Sequence, residues 1–155
     1  MKSNIVFIIL IILCTKAGIT YAQSQEDRLI FHYLKISSAL ARSDFKKAEK
    51  HVKPLLIACH SINPGLEASA KNLEQAQNLD AIREAFSPFS DSLGVAIRTG
   101  KLKVSEDLYL IHCPMAFNDR GADWISDEAK VINPYFGDEM LHCGRVKSTL
   151  RKQEK

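Results

Sequence analysis

Two short stretches concentrate the side chains best suited to soft-metal or thiol chemistry. They are His112-Cys113-Pro114-Met115 and, about thirty residues on, Met140-Leu141-His142-Cys143-Gly144. Each places a thiol, an imidazole and a thioether within four consecutive residues, the donor types that thiophilic metal ions select. Together they hold every cysteine after Cys59, two of the five histidines and both methionines other than Met1. Met140 and Cys143 are three apart, so one helical turn puts both on the same side. Cys113 and Met115 are two apart and share a face if that leg is extended, with Pro114 stiffening it. The candidate ligand set is therefore Cys113, Met115, Met140, Cys143, His112 and His142.

Thiolate and thioether donors favour Cu(I) or Ag(I), with imidazole able to complete the sphere. Zn(II) competes through two Cys and two His, but the paired C-x₂-C spacing is missing and the methionines would go unused. The plainer alternative is a Cys113–Cys143 disulfide pinning a structural or protein-interaction module, with Met115 and Met140 filling gaps in a core. Closing a loop of this length stabilises by roughly 3–4 kcal/mol on the chain-entropy model. The two readings are compatible, since one cysteine pair can alternate between bridge and metal site. Cys59-His60, at the end of an amphipathic helix, reads as packing. Asn118, Asp119, Asp123 and Asp127 match no EF-hand spacing and read as a solvated turn.

Catalysis is disfavoured. His112 and Cys113 are neighbours in an extended leg and point to opposite faces, which is no nucleophile–base pair. There is no G-x-S-x-G elbow, phosphate loop or H-E-x-x-H helix, and no C-x-x-C-H for covalent haem.

The elements that must position these donors read as a mainly α fold, an antiparallel up-down bundle of about four helices followed by an irregular C-terminal arm. Gln25 to Arg42 carries Leu29, Tyr33, Ile36 and Leu40 at three-and-four spacing, with Glu26 and Asp27 in the first turn. Ser43 is expected to cap a second helix from Asp44 to about His60, kinked at Pro54. Leu66 to Gln77 is a weaker third. Asp80 caps a fourth, with Ile82, Phe86, Phe89, Leu93 and Ile97 on one face, Pro88 interrupting it and Gly100 as C-cap. Beyond it the periodicity changes. Leu108 to Ile111 suits a strand or extended leg, and Gly137 to Leu141 a single helical turn. The arm, 108–146, is anchored by Phe117, Trp124, Tyr135 and Phe136. A charged tail, 147–155, is expected to fray.

The chain has 155 residues and a formal net charge of +3, in keeping with one domain able to bury a core. Lys2, the apolar run Ile5 to Cys14 and the small residues around Ala22 read as a secretory signal peptide over 1–22, leaving a single domain over 23–146. Acylation at Cys14 is disfavoured because Thr15 to Ala22 still follow it. Cleavage removes Lys2 and Lys16 and no acid, leaving about +1 and no basic surplus for nucleic acid or an anionic membrane. Export to the periplasm or beyond puts Cys59, Cys113 and Cys143 where disulfides persist.

Three ordered blocks carry a family likeness: His112-Cys113-Pro114-Met115-Ala116, Gly121-Ala122-Asp123-Trp124-Ile125-Ser126, and Asn133-Pro134-Tyr135-Phe136-Gly137 running on to Met140-Leu141-His142-Cys143-Gly144. The set resembles an uncharacterised domain of exported bacterial proteins, also found fused to the periplasmic adaptor subunits of copper and silver efflux pumps. The resemblance implies an exported helical domain that binds a heavy metal and works with an efflux pump or its adaptor. Cys113, Met115, Met140, Cys143 and His112 match its pattern. His142 enters from its own place in the soft-donor cluster.

Overall fold

The computed structural model describes residues 24–151; the expected signal peptide, 1–22, and the last four residues lie outside the described residues. Four long helices come first: α1 (Gln25–Ala41), α2 (Phe45–Ile62), α3 (Pro64–Glu74) and α4 (Leu79–Arg98). Each opens on a side-chain cap. Ser24, Asp44, Asn63 and Asn78 accept from the N–H of Asp27, Lys47, Gly65 and Ala81, satisfying donors that have no partner within the helix. Two caps differ from expectation, Asp44 replacing Ser43 and Asn78 replacing Asp80. Ser43 instead takes a left-handed turn, φ 54°, and its hydroxyl accepts from Arg83. α3 starts at Pro64 because proline suits a position whose N–H is unpaired anyway. Pro54 and Pro88 lie inside α2 and α4 without ending either.

Each helix packs on the next, and Tyr33 joins the first to the last. Its ring stacks on Phe86 of α4 at 4.9 Å, and its hydroxyl meets Ser90 at 2.8 Å. α4 is the hub because Ile82, Phe86, Phe89, Leu93 and Ile97 are all buried along one stripe. Among the described residues no helix is long and apolar enough to cross a membrane.

The C-terminal part is not an irregular arm. It contains a three-stranded antiparallel sheet: β1 (Leu108–Cys113), β2 (Ala122–Ser126) and β3 (Arg145–Leu150), in the order β2-β1-β3. β1 was visible as an apolar run. β3 was hidden because five of its six residues are exposed and only Leu150 is buried. It is an edge strand made by backbone pairing with β1, from His112 opposite Arg145 to Leu108 opposite Leu150. The segment expected to fray from 147 onward is therefore paired as far as Leu150. The sheet shares one core with the helices: Ile111, Trp124 and Ile125 are buried in the same cluster as Leu29, Phe86 and Phe89. Tyr33 seals the junction, its hydroxyl accepting the Ile125 N–H at 3.0 Å.

Candidate functional site

β1 delivers Cys113 as its last residue, opposite Ala122 of β2. The chain then turns through Met115 and Ala116 and makes a left-handed turn at Phe117, Asn118 and Asp119, with φ of 53°, 57° and 62°. Three successive L-residues there carry strain of about 1–2 kcal/mol each. Packing offsets it: Phe117 lies against Tyr135 at 5.2 Å between ring centroids.

Cys143 arrives from the loop between β2 and β3. Its N–H donates to the Met140 carbonyl at 3.0 Å, so the expected turn over 140–143 forms, beyond a short 3₁₀ turn at Gly137–Glu139. Gly144 next takes φ +142°, and a Cβ there would stand 2.8 Å from Trp124 and 3.0 Å from the His112 carbonyl. Only glycine passes at that distance.

The two sulfurs meet, 2.7 Å apart. Cys113 is buried and Cys143 half-buried, and no disulfide bond joins them in the structure. The adjacent Cys113 thiol, and then burial, push Cys143 up to about 11, while the Met115 N–H donating to its sulfur pulls the other way. Met115 is about half exposed and Met140 half-buried. Both flank the pair in the chain, and each touches Cys143 through its backbone.

The histidines are placed otherwise. His112 lies on the opposite face of β1 from Cys113, because successive strand residues alternate. Its Nδ1 sits 2.6 Å from Asp123 Oδ1, and Lys147 Nζ donates to Asp123 Oδ2 at 2.6 Å. A His–Asp–Lys row thus crosses the three strands. His142 is exposed, with Nδ1 2.9 Å from the Val131 carbonyl. Among the described residues no three His, Cys, Asp or Glu side chains are gathered for one ion. The structure therefore brings together Cys113 and Cys143 of the six candidates, and leaves His112 apart.

Cys59 faces the core, where burial and then Glu67 push its thiol up to about 12. His60 turns outward to Glu67 at 2.9 Å. They do not form a second site. Asp123, read as part of a solvated turn, is in β2.

The residue that sequence reasoning missed is Asn133. It is fully buried. Its N–H donates to the Leu141 carbonyl at 2.7 Å and its side-chain Nδ2 to the Cys143 carbonyl at 2.8 Å, while its Oδ1 accepts from the Tyr135 N–H at 2.8 Å. Asn133 stands directly before Pro134, a dipeptide that signals a turn. That signal locates the bend without revealing that the side chain reaches ten residues onward.

The helices resolve the comparison with known proteins. Residues 29–104 match the model of a family described as "Protein of unknown function (DUF3347)". The matched segment spans the four helices and stops before β1, so the likeness is carried by the scaffold and the thiol pair lies outside it. No curated protein and no solved structure matches the chain.

Proposed function

We propose that the chain is an exported soft-metal-binding protein that takes Cu(I) or Ag(I) between Cys113 and Cys143. The carrying observation is the meeting of two cysteine sulfurs from distant segments, one of the residues half-buried, at 2.7 Å. Soft monovalent ions suit a two-thiolate site, and Met115 and Met140 stand nearby in the chain as thioether donors. Metal–sulfur bonds of about 2.3 Å, as in zinc sites, hold two sulfurs further apart than this, so loading would spread the pair. Zn(II) fits less well, because His112 is turned to Asp123 and a closed tetrahedral set is wanting. Export rests on the leader. The natural partner is a heavy-metal efflux pump or its adaptor, as the resemblance implies. The up-down order of the helices belongs to the same proposal, supported by their short connections.

Titration of the reduced protein with Cu(I) against a chromophoric chelator tests this. One ion per chain is expected. Cys113→Ser or Cys143→Ser should weaken binding by more than the roughly 10–100-fold typical of losing an outer-sphere partner. Met115→Leu and Met140→Leu, which keep volume but lose the sulfur, should weaken it less steeply. No uptake by the reduced wild type rejects the reading.

The second reading is a non-catalytic module pinned by a Cys113–Cys143 bridge, favoured by how little the sulfurs must move to bond. Under it, the cysteine substitutions lower the stability of the oxidised protein and the methionine ones change nothing.

A further inference from the structure

The two sulfurs differ in access, yet both sit in a frame that needs no bond between them. Cys113 is wholly buried at the end of β1, while Cys143 is half-buried. The β1–β2 ladder holds Cys113 opposite Ala122, and the β1–β3 ladder begins two residues after Cys143, at Arg145. The Asn133 amide holds the Cys143 carbonyl, and the Met140 carbonyl holds its N–H. From 2.7 Å, closing to the roughly 2.05 Å of a disulfide is a sub-ångström movement of side chains. The third cysteine among the described residues, Cys59, is buried among the helices and has no part in it.

We infer that the Cys113–Cys143 pair is a redox gate, open to metal when reduced and closed when bridged, with Cys143 as the sulfur through which the oxidant enters. This rests on the metal reading above. The oxidant is a disulfide, either a small molecule or the exposed bridge of a thiol oxidoreductase. The Cys143 sulfur, losing its proton, attacks one sulfur of the oxidant, and the oxidant's S–S bond breaks. One external thiolate leaves and takes up a proton, and a mixed disulfide remains on Cys143. The Cys113 sulfur, losing its proton, then displaces the second external thiol and forms the bridge. Two electrons and two protons have passed from the protein pair to the oxidant, which departs as two thiols. An external dithiol reverses the sequence. A bridged sulfur has no thiolate charge to offer an ion, so bridge and metal exclude each other. Because ladders and loop already hold both residues, the gate closes without refolding.

The test begins with the full reduced chain, which is titrated with Cu(I) before any oxidant is added. Absence of binding at that stage overturns the metal reading and the gate with it. Where the reduced chain binds, it is equilibrated in glutathione/glutathione disulfide buffers of rising oxidation. Peptide mass mapping follows the bridge, and chelator competition follows Cu(I). Expected are a Cys113–Cys143 bridge with Cys59 still free, and a loss of Cu(I) affinity greater than about 100-fold that tracks it. The far-UV circular dichroism should be unchanged. A pair that stays reduced in glutathione disulfide alone, or a bridged chain that keeps its Cu(I), overturns the gate while leaving the metal reading standing. Entry is read from trapped intermediates. Cys113→Ser should accumulate glutathione on Cys143, whereas Cys143→Ser, left with a buried thiol, should remain unmodified. Equal modification of both folded variants overturns Cys143 as the entry sulfur, and the wild-type redox titration decides the gate even if neither variant folds.

Discussion

Asn133 orders the loop that carries Cys143 from within. An amide is the right group there. Its oxygen takes the Tyr135 N–H and its nitrogen gives to the Cys143 carbonyl, a division of donor and acceptor that neither aspartate nor leucine can supply. Asn133→Ala leaves two buried backbone groups unpaired, each worth about 1–3 kcal/mol, so a loss of roughly 2–4 kcal/mol is expected in urea denaturation. Asn133→Asp keeps the acceptor for Tyr135 but sets a carboxylate oxygen against the Cys143 carbonyl in a buried site, so it should not recover the loss. Both variants should alkylate faster at Cys143, because the loop that shields it is loosened. An unchanged alkylation rate would mean that the loop is held by something other than this amide.

Between α1 and α2 the packing places His32 Nδ1 3.0 Å from His51 Nδ1, with Phe31 edge-on to both rings. Both imidazoles are held below their ordinary value of 6.5. Burial is the first cause for each; His51 adds to it at His32, and Lys50, Lys35 and Lys47 add to it at His51. The folded state takes up these protons less readily than the unfolded chain, so the stabilisation is complete above pH 6.5 and lost as pH falls through the lowered values. The rings are half-buried, and the solvent that still reaches them keeps the effect within about 1 kcal/mol. Denaturation between pH 7.5 and 5.5, a window above the carboxylates, should show stability declining with acid. His51→Gln should flatten that slope, and an equally steep profile in the variant would place its origin elsewhere.

At the scale of the molecule, Arg83 is the strap. It is buried on α4, and its guanidinium donates to the Pro134 carbonyl at 3.0 Å, the Leu40 carbonyl at 3.0 Å and the Ser43 hydroxyl at 3.2 Å. It thereby ties the end of α1, the turn into α2 and the thiol-bearing loop to one helix. Gly137, at φ +59°, leaves it room: a Cβ there would stand 2.6 Å from Arg83 Nη2 and 2.5 Å from Ser43 Oγ. With one core shared by helices and sheet, the protein should unfold as a unit. Fluorescence of Trp124, the sole tryptophan, and helical circular dichroism should then give coincident transitions. Arg83→Met should lower the midpoint of both transitions together, with a loss of roughly 2–4 kcal/mol in unfolding free energy, the lost hydrogen bonds being partly offset by relief of a buried charge. A Trp124 transition separated from the helical one in the wild type would show that the sheet is an independent unit.

Four helices were legible along the chain because a helix buries a stripe of period 3.6 and announces its start with Ser, Asp or Asn. The stripe through Ile82, Phe86, Phe89, Leu93 and Ile97 needs no partner to be recognised. The soft donors were legible as well, since their types are chemistry in themselves, and so was the approach of Cys113 to Cys143. What sequence alone could not determine is anything set by pairing across distance. β3 is polar and exposed, and it is a strand only because β1 offers it a ladder. His112 follows the register of that sheet: the ladder sets it opposite Asp123, and strand alternation turns it from the sulfurs it adjoins in sequence. Local pattern records which face a residue can bury; tertiary structure decides which neighbour it meets there, because hydrogen-bond register and loop closure join segments that have no sequence proximity.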